Sequence, residues 1–572
     1  MVLPALALAA SILVSASPAR AQERTPGYYP PVVTVPSVLP ATPSDFSVSA
    51  SDAINAANEN PQIERLREQR GGADAIPKVT PGQWEILYIV AGKHEALVFV
   101  DGDSGEVTDA WTGDAQIAWP MARGYDGQFG HLLNAPYVWI PLALVFFFGL
   151  FDFRNWRRMA HLDLLVLLSF GLSFIAFSEA EIGVSAPLVY PPLVYLLARM
   201  LWIGFKREGI GLRPSAPVKV LLAAVIILFG ARVALNIADS GVIDVGYAGV
   251  IGADRIAHGE PLYGEGAFPE DNPRGDTYGP LNYLLYVPFE LIFSWDGGWG
   301  QVPAAHAAAI FFDLAAIVGL LVLGPRLRPR QSGGRLGVTM AFAWVAYPWT
   351  DFALQSNTND ALLAALLIWA LVGFSSLGWR ALFLAMAAAV KFVPLALVPL
   401  FAAGYEGLWG RLRVKTRDRI GGWLPKLRLS QRLAVRLAYF ATVLVGVLAV
   451  LYIYPAVDPG LATTWDRTID TQLGREAPFS IWGQVQALQP LQILWMLGVV
   501  IFGASLLLVP RRRSLVQVAA LSTAVIIAVQ LSLEYWFYLY IPWFTGILFA
   551  AIAPQPQGRR RRSTARQEAR SR

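Results

Sequence analysis

The 572-residue chain contains no cysteine. Disulfides, zinc–thiolate sites and thiol nucleophiles are therefore excluded. Charged residues are also scarce: they make up 15% of the chain, whereas soluble globular domains carry about 25%. The sequence has neither a glycine-rich nucleotide-phosphate loop nor a cluster of side chains with metal-ligand spacing. We therefore expect no cofactor and no metal.

In place of charge the chain has long apolar runs, and hydrophobic residues make up 55% of it. Uncharged stretches of about 20 residues are typical of membrane spans. The runs lie near 136–152, 162–178, 187–205, 217–238, 303–323, 336–351, 357–374, 435–455, 488–508, 514–530 and 536–553. Two shorter apolar pieces, 280–294 and 380–403, contain Pro288 and Pro394. The sequence therefore predicts an α-helical polytopic membrane protein with about 11–13 transmembrane helices.

Basic residues orient these spans, because loops rich in Arg and Lys stay on the cytoplasmic side. Such residues cluster around 154–158, 206–219, 326–335, 411–436 and 511–513, and in the tail 554–572. We expect the tail to anchor at the cytoplasmic leaflet, and nucleic-acid binding is the alternative for its run of arginines. With the N-terminus outside, all of these basic loops lie in the cytoplasm only if 280–294 does not cross the membrane and 380–403 turns back as a broken hairpin.

The N-terminal end carries a targeting pattern. Residues 3–16 are apolar, and the small-x-small sequence Ala19-Arg20-Ala21 follows them. This pattern predicts a secretory signal peptide at 1–21. Residues 22–48 are rich in Pro, Ser and Thr and predict an extended linker.

Residues 49–115 predict a small α+β domain outside the cytoplasm. A helix is expected near 51–70, and strand-like runs follow at 84–91, 95–100 and 106–111. The turn 101–105 places Asp and Gly where a tight turn needs them; a calcium loop is the alternative, but its ligand spacing and distal Glu are missing. The signature residues are Val98, Val100, Asp101, Gly105, Glu106 and Val107. One helix, a meander and this signature together resemble the PepSY family, which implies a binding or regulatory module.

Two long loops, 239–302 and 456–487, face the outside in this topology. Long loops rich in charged and aromatic residues often carry function. Asp244 lies near the outer end of a span, where a low-dielectric wall can raise the proton affinity of a carboxylate toward that of a general base. A solvated interfacial carboxylate is the alternative interpretation, and Asp239 is the second candidate for the base.

Other polar residues also have two interpretations. A lysine at mid-membrane costs about 2.5–3.5 kcal/mol, so Lys391 needs a partner such as a lipid-linked phosphate, or its amine snorkels to the interface. The polar run 355–360 either binds a ligand or caps the helix that follows it. Arg475 either faces a ligand or pairs with Glu476. His258, on a predicted amphipathic helix, is expected at the interface.

Five short motifs occur in order across 217–553. They are Asp244, Tyr247, Gly259, Pro261 and Tyr263; Tyr278-Gly279-Pro280-Leu281; Gln355, Asn357 and Asp360; Lys391 and Pro394; and Arg475, Pro478, Phe479, Ser480 and Trp482. This order resembles the polyprenyl-phosphate-mannose-type family of GT-C glycosyltransferases. That family usually has Gly before the glutamine, where this chain has Leu354. Residues 49–115 and the accessory spans at 136–205 lie outside the resemblance.

The resemblance implies an integral glycosyltransferase of the plasma membrane with its active site outside. Such an enzyme moves mannose or a similar sugar from a polyprenyl-phosphate donor to an envelope glycan, lipid or protein acceptor, with inversion. The implied partners are this donor, membrane lipid and the acceptor, and not nucleic acid. Asp244 is the implied catalytic base. The implied substrate-binding residues are Tyr247, Tyr263, Tyr278, Gln355, Asn357, Asp360, Lys391, Arg475, Ser480 and Trp482.

Two other function classes stay open at this point. A lipid or solute transporter uses similar broken segments and buried polar groups, although the two halves of the sequence show no inverted repeat. A membrane sensor fits the extracytoplasmic domain, although the sequence offers no cytoplasmic domain to receive a signal. A polar cavity that opens outward at Asp244 favours transfer, whereas a path across the whole membrane favours transport.

Overall fold

The computed structural model describes thirteen ranges of the chain. They are 32–34, 39–44, 46–70, 72–80, 82–90, 93–113, 131–206, 211–268, 275–297, 302–328, 332–406, 429–471 and 477–553. The predicted signal peptide, most of the predicted linker and the basic tail 554–572 lie outside the described residues.

The N-terminal unit is a sheet with two helices. Its elements are β1 Val32–Thr34, α1 Ala50–Asn58, α2 Pro61–Arg70, β2 Gly72–Thr80, β3 Gln83–Val90, β4 Lys93–Asp101 and β5 Val107–Thr112. The strands lie in sequence order; β1 runs parallel to β2, and each later pair is antiparallel. A helix-and-meander unit is thus present where the sequence predicts an α+β domain.

Alternation along β3 explains how this unit packs. Trp84, Ile86 and Tyr88 are fully buried, because side chains on a strand alternate between faces and these three share one core with Ala53 and Ala57 of α1. The opposite face of β3 is only half-buried. The sheet therefore packs against the helices through one face.

Two local predictions for this unit are wrong. The helix expected near 51–70 is interrupted: α1 ends at Asn58, and α2 starts at Pro61. Proline has no amide hydrogen and clashes with the preceding turn, so it begins a new helix more readily than it continues one. Strand β2, residues 72–80, is also present where the sequence analysis expects none.

The turn between β4 and β5 follows its predicted chemistry. Asp101 Oδ1 accepts hydrogen bonds from the amides of Ser104, at 2.7 Å, and Asp103, at 3.1 Å. Gly105 has a φ of 73°, a conformation that glycine adopts without strain. The hydrogen bonds from Ser104 lower the pKa of the Asp101 carboxyl below its usual value. The acid therefore stabilises the turn through hydrogen bonds to Asp103 and Ser104.

Residues 131–553 form a helical body. Its first helices are α3 His131–Asn134, α4 Pro136–Leu150, α5 Met159–Leu168, α6 Phe170–Ser178, α7 Ile182–Leu188, α8 Tyr190–Lys206, α9 Val218–Asp239, α10 Asp244–His258, α11 Pro280–Leu284, α12 Val287–Glu290, α13 Pro303–Leu327, α14 Ser332–Ala346 and α15 Pro348–Gln355. The later ones are α16 Asp360–Val372, α17 Leu377–Val390, α18 Val398–Ala403, α19 Leu429–Leu451, α20 Ile453–Pro455, α21 Leu461–Trp465, α22 Ile481–Gln484, α23 Gln489–Ser505, α24 Leu515–Gln530 and α25 Ile541–Ile552.

Six helices in the described ranges are long and apolar enough to span a membrane. They are Met159–Ser178, Ile182–Lys206, Val218–Asp239, Pro303–Leu327, Leu433–Leu451 and Gln486–Ser505. Six shorter apolar helices accompany them, at Pro136–Leu150, Asp360–Val372, Leu377–Val390, Val393–Ala403, Leu515–Gln530 and Tyr538–Ile552. The piece 280–294 forms only α11 and α12, of 5 and 4 residues. At about 1.5 Å per residue neither helix reaches across a bilayer.

The segment 380–403 turns back on itself, as the sequence predicts. Helix α17 ends at Val390, a 3₁₀ turn covers Val393–Leu397, and α18 follows. The guanidinium of Arg380, near the start of α17, donates to the carbonyl of Ala402 at 3.5 Å. Because residues 380 and 402 meet, the tip of this hairpin is Lys391.

The body has two ends of different chemistry. Hydrogen bonds at one end join Gly211 to Ile552, Ser215 to Phe151, Arg335 to Pro214, and Arg513 to Tyr405 and Gly404. Hydrogen bonds at the other end join Leu132 to Asp239, Gln484 to Ile182, and Trp482 to Leu531. The first end, here the basic end, gathers the described basic residues around 154–158, 211–219, 335 and 511–513. The hairpin tip at Lys391 lies toward the second end, here the opposite end.

Candidate functional site

Lys391 is the centre of a polar cluster at the opposite end. Its Nζ lies 2.5 Å from Asp360 Oδ1. The same oxygen accepts a hydrogen bond from Trp543 Nε1 at 2.6 Å. The side chain of Lys391 is 11% exposed and that of Asp360 is 1% exposed. The hairpin tip, the start of α16 and the start of α25 therefore meet at one ion pair.

Aromatic rings enclose the ammonium group of Lys391. The ring centroid of Trp543 lies 4.8 Å from Nζ, and those of Tyr278 and Tyr540 each lie 5.8 Å away. Tyr540 and Trp543 stack with centroids 4.1 Å apart. Aromatic faces attract a cation at these distances. The three rings therefore replace part of the water that would otherwise surround the ammonium group.

The position of Asp360 in helix α16 also stabilises its carboxylate, independently of Lys391. Asp360 is the first residue of the helix, where the helix dipole stabilises a negative charge. The side chain of Asn359, at the N-cap, makes no capping hydrogen bond. Thr358 Oγ1 instead accepts from the amide of Asp360 at 3.2 Å. Asp360 therefore both begins helix α16 and contacts Lys391. The helix-capping and ligand-binding interpretations of residues 355–360 do not exclude each other.

Buried polar atoms without a partner lie next to Asp360. Asn359 Nδ2 donates to Asn282 Oδ1 at 2.7 Å. In the described part of the chain, Asn282 Nδ2, Asn359 Oδ1 and the hydroxyl of Tyr286 are buried with no hydrogen-bond partner. Buried polar groups are ordinarily paired. Among the described residues, Arg232 Nη1, Asp313 Oδ2 and Gln355 Oε1 are buried without a partner as well, so unpaired atoms by themselves do not mark a ligand site.

Tyr278 reaches the cluster because the residue after it is glycine. The amide of Gly279 donates to the carbonyl of Val390 at 3.2 Å. A Cβ at position 279 would lie 2.2 Å from the carbonyl oxygen of Ala389. The close approach to the hairpin tip therefore requires glycine. Tyr263 supports it from behind, since its hydroxyl donates to the carbonyl of Tyr278 at 2.8 Å.

Asp244 is exposed at the first position of α10. The amide of Ile243 donates to the carbonyl of Ser356 at 3.2 Å. A Cβ at Gly246 would lie 2.5 Å from the carbonyl oxygen of Asn357. The segment that presents Asp244 is thus packed on the linker 356–359, which leads directly into Asp360.

Asn357 fixes this packing. Its backbone is left-handed, with a φ of 51°. Its Nδ2 donates to Ser240 Oγ at 3.0 Å and to the carbonyl of Gly241 at 2.7 Å, while its Oδ1 accepts from Asn236 Nδ2 at 2.9 Å. The residue is fully buried. Asn357, expected from the sequence to bind substrate, is placed here as a clamp on the loop before Asp244.

Gln355 is equally buried and belongs to a second network. Its Nε2 donates to Asp351 Oδ1 at 2.8 Å. Arg232 contacts the same oxygen through Nε at 3.1 Å and Asp313 Oδ1 through Nη2 at 3.3 Å. Trp344 Nε1 donates to Asp313 Oδ1 at 2.7 Å. This charged network ties α9, α13, α14 and α15 together and lies apart from the ion pair at Lys391.

The remaining candidates are buried or lie outside the described residues. Tyr247 is buried on α10. Ser480 Oγ accepts from the amide of Gly483 at 3.1 Å and caps α22. Trp482 donates to the carbonyl of Leu531 at 2.9 Å. These contacts support the segment that continues to Tyr540 and Trp543; Arg475 lies in the range 472–476, which the structure does not describe.

Two partnerships escape the sequence analysis. Arg467 forms a two-point ion pair with Asp276, at 2.6 Å from Nε to Oδ2 and 2.8 Å from Nη2 to Oδ1. Trp543 and Tyr540 are two of the three aromatic rings around Lys391. Asp276 stands two residues before Tyr278, which is the one signal that marks it in the sequence. The two aromatic residues follow a tyrosine- and tryptophan-rich stretch that carries no motif.

Within the described ranges no group of three or more His, Asp or Glu side chains could hold a metal ion. No protein-family model matches the chain, and no curated protein matches it either. The resemblance to GT-C enzymes and to PepSY domains accordingly rests on the sequence motifs alone.

Proposed function

We propose that the protein is an integral membrane glycosyltransferase that transfers a sugar from a polyprenyl-phosphate donor to an acceptor on the outer face. The observation that carries the proposal is the cluster of Lys391, Asp360 and three aromatic rings at the opposite end, joined through residues 356–359 to the exposed Asp244. Such a transfer needs a cation for the leaving phosphate and a carboxylate that accepts a proton. Lys391 contacts Asp360, and the linker 356–359 before Asp360 packs against the residue before Asp244.

The lysine suits the leaving group of this reaction. An ammonium group has three N–H donors, and Asp360 accepts one of them. A phosphate oxygen can take another, and charge that develops on a leaving phosphate is stabilised by a preorganised cation. The aromatic walls then contact the sugar or the isoprenoid next to the phosphate.

The carboxylate suits the attacking group. Asp244 accepts the proton of an acceptor hydroxyl while the hydroxyl oxygen forms a bond to the anomeric carbon. The bond from that carbon to the phosphate oxygen breaks with its electron pair, which leaves polyprenyl phosphate. One displacement inverts the anomeric configuration, through a transition state with oxocarbenium character.

A lipid donor can reach the hairpin from the side. Helices α19 and α23 flank the hairpin, with α19 against α17 and α23 against α18. Both flanking helices are largely exposed over their apolar windows. Phe392, Val393 and Leu395, just after Lys391, are half-buried, and the turn Val393–Leu397 contacts α23. This position is open to the lipid side of the bundle and fits an isoprenoid tail.

The orientation belongs to the same proposal. Placing the basic end in the cytoplasm follows the positive-inside rule. Counting both arms of the hairpin as crossings gives an outside N-terminus and an inside C-terminus. The N-terminal sheet domain is then extracytoplasmic, where we propose a PepSY-like binding or regulatory role.

The test is sugar transfer in membranes that contain the protein, from a radiolabelled polyprenyl-phosphate sugar. We expect Asp244→Asn to abolish transfer while the protein still folds. Asp239→Asn is the matched control: Asp239 ends the preceding span and accepts from the amide of Leu132 at 3.1 Å. Transfer that survives in Asp244→Asn but not in Asp239→Asn moves the base to Asp239. No transfer by the wild type from any donor tested shifts the weight to a transporter.

A further inference from the structure

The segment 453–471, here the arm, follows α19 at the opposite end. It consists of α20, a wide turn at Ala456–Gly460, α21, and a second wide turn at Asp466–Asp470. Pro455, Thr464, Thr468 and Ile469 are buried on its inner side. The arm is therefore an ordered element with one face against the protein.

Two polar contacts fasten the inner face of the arm to the first outer loop. The hydroxyl of Tyr454 donates to the carbonyl of Glu260. Arg467 holds the fully buried Asp276 through two hydrogen bonds. Asp276 also accepts from the amide of Gly264 at 3.0 Å. The arm thus fixes the loop that carries Tyr278 to the Lys391 cluster.

The outer face of the arm carries large apolar side chains that no described residue covers. The exposed fractions are 64% for Ile453, 82% for Val457, 60% for Leu461 and 41% for Trp465. A contiguous set of large exposed apolar side chains is unusual on a surface that faces water and marks an interaction surface. The set continues the exposed side of α19, where Val445 is 61% exposed.

The charges around this face select one kind of partner. Arg467 is the only basic residue in the sequence of the arm, and it is turned inward to Asp276. The exposed charged residues of the arm are the acids Asp458, Asp466 and Asp470. No basic side chain of the arm is therefore free to hold lipid phosphates. Apolar residues with Trp and Tyr at the edge of a span are typical of the boundary between acyl chains and head groups.

We propose that the outer face of the arm lies in the lipid–water interface and binds the outer leaflet. The arm then sets the depth of the first outer loop, and with it the depth of the Lys391 cluster, relative to the lipid head groups. Burial is apolar, so it does not require anionic lipid. The inference rests on the membrane orientation proposed above and not on sugar transfer.

The absence of cysteine makes a spin-label test direct, because each introduced cysteine is the only reactive thiol. Val457→Cys and Leu461→Cys are labelled with a nitroxide in the full chain, in phosphatidylcholine vesicles. Val445→Cys is the lipid reference, and Asp103→Cys, on the exposed turn of the N-terminal unit, is the water reference. The measured quantity is the ratio of collisions with oxygen to collisions with a water-soluble nickel chelate.

We expect the ratios at 457 and 461 to lie several-fold above that at 103 and below that at 445, with Asp470→Cys close to 103. Ratios at 457 and 461 equal to that at 103 overturn the inference, because the arm is then in water. Few collisions with either reagent also overturn it, because protein then covers the face. If the label at 445 itself behaves like that at 103, α19 does not lie in the bilayer, and the inference is overturned with the membrane assignment on which it rests. Loss of sugar transfer alone leaves these ratios unchanged.

Discussion

The helical body contains two groups of buried opposite charges that differ in their surroundings. Arg232, Asp313 and Asp351 join several helices and are at most 5% exposed. Lys391 and Asp360 meet at a hairpin tip, where the lysine keeps 11% of its side chain exposed and aromatic rings stand around it. We interpret the first group as a structural connection between helices. The second has a charge that a ligand can still reach.

The comparison teaches that burial of charge alone does not locate a site in this protein. Both groups place costly charges inside an apolar bundle. What distinguishes them is the neighbourhood: three aromatic rings stand around Lys391, and the exposed Asp244 follows a residue that is hydrogen-bonded to Ser356, close to Asp360. The four expectations below run from the largest effect to the smallest.

Removing the cation of the structural group is expected to have the largest effect. Arg232→Met leaves two carboxylates unpaired in the bundle, and we expect the free energy of unfolding in micelles to fall by about 3–5 kcal/mol. The triple variant Arg232→Met, Asp313→Asn, Asp351→Asn removes the uncompensated charge and should recover most of the loss. A single variant as stable as the wild type would show that the network is not a structural tie.

Lys391→Gln is expected to separate activity from stability. The carboxylate of Asp360 keeps the hydrogen bond from Trp543 Nε1 and its place at the start of α16, so the free energy of unfolding should fall by about 1.5–3 kcal/mol, less than for Arg232→Met, which leaves two carboxylates without a cation. Sugar transfer should fall about a hundredfold or more, because the cation for the leaving phosphate is lost. Lys206→Gln at the basic end is the control for loss of a positive charge. A loss of stability as large as that of Arg232→Met would place Lys391 with the structural group.

Gly279→Ala tests the close approach of the Tyr278 segment to the hairpin tip. The new Cβ meets the carbonyl oxygen of Ala389 at 2.2 Å, so we expect a loss of about 1–3 kcal/mol in the free energy of unfolding. The rate of sugar transfer per folded molecule should also fall, because Tyr278 is displaced from Lys391. Gly446→Ala in α19 is the matched control: no atom lies within 4 Å of its Cβ, and it should stabilise the helix by up to about 1 kcal/mol. Equal results for both glycines would contradict the packing.

Asp101 provides a contrasting carboxylate, outside the spans. Its pKa is lowered by the hydrogen bonds from Ser104. Its contribution to stability is therefore present above the ordinary carboxyl pKa and lost as the pH falls through the lowered value. In the full chain, the amide exchange protection of β4 and β5, corrected for intrinsic rates, should decrease as the pH falls below the ordinary carboxyl pKa of about 4. Asp101→Asn should make the exchange protection less dependent on pH, whereas Asp103→Asn should not. If both variants show the same pH dependence, the Asp101 carboxylate does not stabilise the turn.

Much of the fold follows from the sequence. The apolar runs predict about 11–13 spans; six helices in the described ranges are long and apolar enough to cross a membrane, and shorter apolar helices accompany them. Pro394 after an apolar helix predicts the hairpin. Asp and Gly at loop positions predict the turn at 101–105. These features depend on local propensity and hydropathy, which neighbouring residues decide among themselves. The break between α1 and α2 at Pro61 is a local signal of the same kind that the sequence analysis passes over.

The sequence by itself determined which residues are costly to bury: Lys391 inside an apolar stretch and a polar run ending at Asp360. Only the tertiary structure decided their partners. Lys391 pairs with a residue 31 positions away, Trp543 donates to Asp360 across 183 positions, and Arg467 reaches Asp276 across 191. It also placed Asn357 and Gln355 in buried networks. The physical reason is that a charge in an apolar bundle must find an opposite charge or a donor, whereas helix packing decides which one comes within reach.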